Sequence, residues 1–202
     1  MIGFLFQKTQ SCFLQAMYLF LHRGFSIKSH LTAAERILLY RLAKNPQIKN
    51  CLEIGSYLGA SAYFVSAGLK KNRSNGKVFC IDTWNNDAMS EGNRDTFSEF
   101  TKNTAPFSEL IIPVRGFSTE VVGQVARQTK HLDLLFIDGD HSYKGVKADW
   151  DAYKHFLKSG SIVVFHDYGW AEGVKRVIEE DAKPMVGSFG SLPNMWWGEI
   201  KA

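Results

Sequence analysis

The sequence predicts a single α/β domain built around a mostly parallel sheet. Apolar runs of strand length alternate with helical patterns, several of these runs end in a carboxylate, and glycine turns follow the first of them. The 202 residues, of which 45% are hydrophobic, suffice for one sizeable core. Ligands of open α/β sheets bind outside the carboxyl ends of the strands, so we expect the functional site at that edge.

The first 30 residues predict a helical extension, and residues 31–202 the domain itself. Apolar side chains recur at helical spacing at Phe13, Ala16, Met17, Phe20 and Leu21. Polar residues interrupt this stretch before it reaches the ~20 apolar residues of a membrane span, so no span is expected. We expect the helix to pack on the domain or to form a homodimer, with peripheral membrane attachment as the alternative.

The domain begins with a capped helix and a strand that ends in an acid. Thr32-Ala-Ala-Glu35 resembles a capping box, which predicts a helix up to Asn45-Pro46. The segment Cys51-Leu-Glu-Ile-Gly-Ser-Tyr-Leu-Gly-Ala-Ser61 then predicts a strand, a turn and the start of a helix. Gly55 and Gly59 allow a tight turn and close approach to a ligand, and the helix N-terminus favours a carboxylate or phosphate.

Strands and helices continue to alternate through the rest of the chain. Further strands are predicted at Lys77–Asp82, 110–114, 132–137 and 161–165, with two more in the tail. Helices are predicted near 61–69, 94–103, 119–129, 143–157 and 171–181. Lys158-Ser-Gly160 is expected to end the helix that begins at Tyr143.

Polar groups follow the ends of strands that should be neighbours. Asp138 ends one strand, and His166 and Asp167 end the next, so their side chains should converge at strand spacing, about 4.8 Å. Two close carboxylates favour a divalent cation, and oxygen ligands favour Mg²⁺. The imidazole of His166 would admit Mn²⁺ or Zn²⁺, or would instead bind cofactor or substrate by a hydrogen bond.

His141 lies in the turn after Asp138, within Asp138-Gly-Asp-His-Ser-Tyr143. Its ring can face the same cleft, and histidine titrates near working pH. We therefore predict that His141 is the general base, with Asp138 as the second catalytic residue. Asp140 is expected to cap the following helix.

These motifs resemble those of class I S-adenosylmethionine-dependent methyltransferases, in particular the small metal-dependent O-methyltransferases that tailor sugars and antibiotics. The resemblance lies in Glu53-Ile-Gly-Ser-Tyr-Leu-Gly, Ile137-Asp-Gly-Asp-His-Ser-Tyr143 and Phe165-His-Asp167, in that order. It implies a Rossmann-like, doubly wound, seven-stranded sheet with a C-terminal antiparallel hairpin. It also implies O-methylation of a sugar or glycoside hydroxyl, with a phenol as second choice.

The resemblance further implies where S-adenosylmethionine binds. Its amino-acid end, ribose and adenine are expected to contact Glu53, Gly55, Ser56, Gly59, Ser61, Asp82, Thr83, Ser118 and Asp138. The predicted metal ligands are Asp138, His166 and Asp167; the resembled enzymes carry acidic or amide groups at the equivalent positions, and His166 departs from that pattern. Asp82 would accept both ribose hydroxyls, and Phe117 is the alternative to Ser118 beside the adenine.

Composition narrows the function further. The net charge of +4 is spread along the chain without basic stripes, so nucleic acid is not an expected partner. The three cysteines lack metal-ligand spacing, which indicates reduced thiols and a cytoplasmic location. A nicotinamide-dependent oxidoreductase is disfavoured because Tyr57 stands where the dinucleotide fingerprint needs its second glycine. A non-catalytic cofactor-binding or scaffold protein remains the other alternative.

Overall fold

A computed structural model describes residues 21–86 and 92–201, which form a seven-stranded sheet with helices on both faces. The strands are β1 (Asn50–Ile54), β2 (Lys77–Asp82), β3 (Ile111–Arg115), β4 (Leu132–Ile137), β5 (Leu157–His166), β6 (Val186–Leu192) and β7 (Met195–Ile200). The α-helices are α1 (His22–Ser26), α2 (Ala33–Ala43), α3 (Ala60–Lys71), α4 (Phe97–Thr104), α5 (Ser118–Gln128), α6 (Tyr143–Tyr153) and α7 (Glu172–Val177). A π-helical segment, Ile178–Ala182, continues α7.

The strand order is β3-β2-β1-β4-β5-β7-β6. The first five strands pair in parallel, whereas β7 is antiparallel to β5 and to β6. The chain reverses its direction of winding after β3, so β1 and β4 lie side by side at the centre. This arrangement confirms the predicted doubly wound sheet and its C-terminal antiparallel hairpin.

Alternating strand residues supply two separate cores, one on each face of the sheet. On β1, Cys51 belongs to the core beneath α2 and α3, and Leu52 belongs to the core beneath α5, α6 and α7. The central strand β4 is buried at all six positions. A strand covered on both faces is mainly apolar, which explains why five of the six residues of 132–137 are apolar. The exception, Asp133, accepts from the backbone N–H groups of Lys49 and Asn50.

The predicted capping box is present at the start of α2. The backbone N–H of Thr32 donates to Glu35 Oε2 at 2.7 Å, and Thr32 Oγ1 accepts from the backbone N–H of Glu35 at 3.3 Å. One residue further on, the buried guanidinium of Arg36 donates to the carbonyls of Gly24, Phe25, Ile27 and Leu31. Arg36 therefore fixes the course of the chain that enters the domain.

The predicted helical extension is described only from residue 21 onward. Within that part, Leu21 and Ile27 are buried in the same core as α3. The amphipathic pattern between Phe13 and Phe20 lies outside the described residues. Among the helices that are described, none is long and apolar enough to span a bilayer.

The boundary between α6 and β5 differs from its prediction. The α-helix ends at Tyr153, and β5 already begins at Leu157, so Lys158-Ser-Gly160 belongs to a strand. The reason lies in the pairing with β4, where Leu157 pairs with Leu132 across an irregular step. Ser161 Oγ donates to the carbonyl of Leu132 and accepts from the backbone N–H of Lys158, which holds this step in the sheet.

Candidate active site

A cleft of about 1110 Å³ opens at the carboxyl ends of the central strands. Residues following β1, β2, β4 and β5 line it together, because parallel pairing places Ile54 beside Ile137 and Ile137 beside Phe165. The predicted site residues that line the cleft are Gly55, Ser56, Ser61, Asp82, Thr83, Ser118, Asp138, His141, His166 and Asp167. Glu53 and Gly59 are not among the residues that line it.

The glycine turn after β1 is required by packing. Gly55 has a φ of +87°, and a Cβ atom there would lie 2.0 Å from the carbonyl oxygen of Asp138. Gly59 precedes α3 with a φ of +86°, and its Cβ would lie 2.6 Å from Thr104 Cγ2. No larger residue fits either position, so each glycine lets the turn pack closely on neighbouring chain.

Glu53 is buried beneath this turn, with 1% of its surface exposed. Neither carboxylate oxygen has a hydrogen bond of normal geometry, and Ser56 Oγ also lacks a partner. Burial raises the pKa of Glu53 to about 7, although nearby Ser56 and Ser61 oppose the rise. An unpartnered carboxylate next to the cleft wall fits a ligand that carries a cationic group.

Asp82 is held at the end of β2 by two backbone amides. The N–H groups of Tyr57 and Trp84 each donate to one of its oxygens at 2.7 Å. A carboxylate offers about four lone-pair sites, so both oxygens retain acceptor capacity toward the cleft. Trp84 itself is fully buried against Phe97 and Phe100, so it belongs to the core.

His166 lies between three carboxylates, those of Asp138 after β4, Asp167 after β5 and Glu35 in α2. Its Nδ1 is 3.0 Å from Asp138 Oδ1 and 3.3 Å from Asp167 Oδ2, and its Nε2 is 3.6 Å from Glu35 Oε2. Burial alone would lower the pKa of His166, but these carboxylates outweigh it and raise the pKa to about 12. Burial raises the pKa of Asp138, and the neighbouring His166 only partly offsets this rise.

His141 and Asp167 form a hydrogen-bonded pair at the edge of the cleft. His141 Nε2 is 2.7 Å from Asp167 Oδ2, and nearly half of the imidazole is exposed. This hydrogen bond raises the pKa of His141 above its usual 6.5. In the neutral tautomer with the proton on Nε2, Nδ1 is left as the acceptor, which is how an acid orients a histidine base.

One acidic cluster of the described residues has metal-ligand spacing. One ligand atom from each of Asp138, His141 and Asp167 lies within 4.8 Å of the other two. This set shares both aspartates with the predicted metal ligands but contains His141 in the place of His166. Asp167 adopts a left-handed φ of 59°, a strained conformation that turns the chain at the site.

Ser118, the first residue of α5, lines the cleft and bonds to another buried acid. Its hydroxyl donates to Asp149 Oδ1, and Tyr153 donates to the Ser118 carbonyl. Burial raises the pKa of Asp149 to about 6, with Ser118 opposing the rise. Phe117 is 59% exposed and lines the cleft, as an aromatic platform for a ligand ring would.

The sequence reasoning missed two residues that line the cleft near His141. Trp170 donates from Nε1 to Asp167 Oδ1 at 2.7 Å, and Asn194 Nδ2 donates to the same oxygen at 3.0 Å. The two tryptophans of β7, Trp196 and Trp197, do not line the cleft, and Trp196 is buried in the core. In the sequence, the only sign that Trp170 lies near the cleft is its position three residues after Asp167.

Comparison with known protein families finds a match for this chain. Residues 52–168 match the family model Methyltransf_24, described as a methyltransferase domain. Among curated proteins, the uncharacterized protein y4gI of Sinorhizobium fredii is 27% identical over 123 residues. That match covers 59% of this chain and 13% of the relative's length.

Solved structures share the fold. The O-methyltransferase NovP superimposes with a TM-score of 0.70 at 14% identity, covering 87% of this chain and 84% of NovP. MycE, a methyltransferase of the mycinamycin biosynthetic pathway solved with Mg and SAH, has a TM-score of 0.59 at 15% identity. That comparison covers 90% of this chain and 53% of MycE.

Proposed function

Because the chain belongs to the methyltransferase-domain family that its residues 52–168 match, we propose that it transfers a methyl group from S-adenosylmethionine to a hydroxyl oxygen of a small molecule. One observation carries this proposal. Asp82, Asp138, His141 and Asp167, which lie at or just beyond the carboxyl ends of three different strands, line a single cleft. The fold shared with NovP, an O-methyltransferase, supports oxygen as the acceptor atom.

The cleft offers a separate group for each part of the methyl donor. The unpartnered carboxylate of Glu53 would balance the donor's ammonium, and Ser56 and Ser61 would bind its amino-acid end. Asp82, with Thr83 beside it, would accept from the ribose hydroxyls. Phe117 and Ser118 would border the adenine, the first by stacking and the second by a hydrogen bond.

His141 would then remove the proton from the acceptor hydroxyl. The oxygen attacks the methyl carbon, the carbon–sulfur bond breaks, and its electron pair stays on sulfur to give the thioether product. The proton ends on His141 Nδ1, and Asp167 stabilises the imidazolium through the Nε2 hydrogen bond. This alcohol methylation needs no oxidant and no reductant.

A divalent ion fits the acidic end of the cleft, where Asp138 and Asp167 offer oxygen atoms and His141 or His166 an imidazole nitrogen. Such an ion would lower the pKa of a nearby acceptor hydroxyl and orient it. The presence of Mg with MycE, which shares this fold, supports Mg²⁺ as the ion. Because His141 completes the tight cluster, either it is a ligand, or it remains the base while His166 supports the aspartates.

We expect the protein to bind S-adenosylmethionine and S-adenosylhomocysteine in calorimetry and not to bind NAD. Replacing Asp82 by Asn should weaken the binding of both sulfur compounds about tenfold, because one charged ribose acceptor is lost. Asp151→Asn is the matched control, since Asp151 pairs with Lys147 and Lys154 on the surface. Binding of NAD in preference to both sulfur compounds would identify an oxidoreductase instead.

Metal removal is expected to lower methyl transfer at least tenfold. Without a cation, the acceptor hydroxyl keeps a pKa far from neutrality, and only His141 assists its ionisation. The assay compares protein treated with EDTA, the same protein after addition of Mg²⁺, and protein given Mn²⁺ or Zn²⁺. Full activity in EDTA would contradict the proposed metal. Asp138, His141 and Asp167 would then be held together by hydrogen bonds alone.

A further inference from the structure

Trp170 is a large aromatic residue exposed at the acidic end of the cleft. The residue has 59% of its surface exposed. Among the described large hydrophobic residues, Phe117 and Phe189 have the same exposed fraction. Single exposed apolar side chains are common on protein surfaces, so the position of the ring is more informative than its exposure. Phe189 does not line the cleft, whereas Trp170 does.

The indole is held in place by Asp167 and lies beside His141. Its Nε1–H donates to Asp167 Oδ1 at 2.7 Å, and its backbone N–H donates to the Asp167 carbonyl at 3.2 Å. Its ring centroid lies 5.0 Å from that of His141, with the planes at 59°. The ring is therefore a fixed wall beside the position where the proposed base meets the acceptor.

Polar groups surround this single aromatic surface. Asn194 Nδ2 donates to the same oxygen of Asp167 as Trp170 does, and it also lies 3.4 Å from His166 Nε2. A pyranose ring combines an apolar C–H face with hydroxyl groups around its rim, which suits one indole bordered by an amide, a carboxylate and an imidazole. A phenol has two apolar faces and one polar edge, so it would gain less from this set of groups.

We propose that Trp170 is the platform on which the acceptor stacks, and that the acceptor presents a pyranose ring whose hydroxyl then faces His141. This inference rests on the proposed methyl transfer and narrows its substrate to glycosides. It makes Trp170 a residue for acceptor binding and specificity, distinct from the groups that hold the donor.

The test measures binding and turnover separately in wild type, Trp170→Phe and Trp170→Ala. With S-adenosylhomocysteine bound, saturation-transfer NMR measures the affinity of methyl β-glucopyranoside, methyl β-galactopyranoside, catechol and the open-chain polyol sorbitol. We expect Trp170→Ala to weaken binding of the pyranosides about tenfold and Trp170→Phe to stay within about threefold of wild type, because phenylalanine keeps a stacking ring. Sorbitol, which has no ring face, should be insensitive to residue 170.

Phe189→Ala is the matched control, because this phenylalanine is equally exposed and lies outside the cleft. The affinity for S-adenosylhomocysteine should not change in any variant; if it falls in Trp170→Ala, the residue has a structural role and the proposal is overturned. Equal pyranoside binding in wild type and Trp170→Ala, or binding of catechol alone, overturns it as well.

Turnover with S-adenosylmethionine separates this inference from the function on which it rests. Pyranoside methylation that is insensitive to Trp170→Ala retains the methyltransferase and rejects the platform. Binding of pyranosides that depends on Trp170 without any methyl transfer retains the platform and rejects the methyltransferase.

Discussion

Replacing His141 by alanine is expected to lower kcat by about 10²- to 10⁴-fold, the usual contribution of a positioned general base. The affinity for S-adenosylhomocysteine should stay within about twofold of wild type, because His141 is not among the residues proposed to contact the donor. Single-turnover methyl transfer and calorimetry measure the two quantities. His155→Ala is the control, since His155 is an exposed histidine that packs beside Phe156 and does not line the cleft.

The pH profile tests the assigned role of His141. The base must be neutral to accept a proton, so kcat/KM should rise with pH through the pKa of His141. Its hydrogen bond to Asp167 raises that pKa, which places the acid limb above the usual imidazole value of 6.5. In His141→Ala this limb should disappear, while the residual activity changes little over the same range.

Metal titration decides between a base and a ligand. If His141 is the base, the alanine variant loses turnover and still binds Mg²⁺ like wild type. If His141 is a ligand, as its place in the cluster with Asp138 and Asp167 allows, turnover and metal affinity fall together. Unchanged turnover would exclude His141 from both roles.

The sheet was predictable because its strands carry their own boundary signals. Lys77–Asp82 and Leu132–Ile137 were predicted with the bounds that the structure has, since each is an apolar run closed by an acid or followed by one. Strand β5 was predicted too short, because its first residues are polar and join the sheet through the Ser161 hydrogen bonds. Such a contact between distant residues leaves no local pattern.

The site was predictable to the level of its strand-end residues. The convergence of Asp138, His141 and Asp167 follows from the parallel order of β1, β4 and β5. The contact between Glu35 and His166 depends on how α2 packs, and nothing in the capping box indicates it. Trp170 was missed for a similar reason, because its position in the cleft depends on a turn at Asp167 whose left-handed φ no sequence rule requires.

The second large effect concerns Glu53, whose replacement by glutamine is expected to stabilise the free protein and weaken donor binding. Burial raises the pKa of Glu53 from 4.5 to about 7, so the folded protein favours the neutral acid. Wild type therefore loses stability as pH rises from 4.5 to 7, and above 7 the loss is complete. A shift of this size corresponds to roughly 3 kcal/mol.

Glutamine has similar volume and no charge, so Glu53→Gln should exceed wild type by about 2–3 kcal/mol in free energy of unfolding at pH 8. The difference should vanish below pH 4.5, where Glu53 is protonated in both the folded and unfolded states. Urea unfolding at several pH values measures this gap. The control is Asp133→Asn, because Asp133 accepts from the backbone N–H groups of Lys49 and Asn50 and its pKa is lowered.

Asp133 should respond with the opposite sign. Its lowered pKa means that the charged form stabilises the fold above the unfolded pKa, so Asp133→Asn should lose roughly 1–3 kcal/mol at pH 8. The neighbouring strand β4 thus carries a buried carboxylate with hydrogen-bond partners, Asp133, while β1 carries one without such partners, Glu53. If Glu53→Gln also destabilises the protein at pH 8, then Glu53 has partners in solution and no vacant charge for a ligand.

Donor affinity links this stability difference to function. If the ligand's ammonium pairs with Glu53, binding of S-adenosylhomocysteine offsets the free energy that burial of the charged carboxylate costs. The amide in Glu53→Gln forms no such ion pair, so the variant gains nothing from this contact. Its Kd should then rise about tenfold in Glu53→Gln at pH 8, and its stabilisation of the protein against heat should shrink accordingly. The difference in Kd should narrow at pH 6, because Glu53 is then largely protonated in wild type. A more stable variant with unchanged affinity would limit Glu53 to a structural position under the glycine turn.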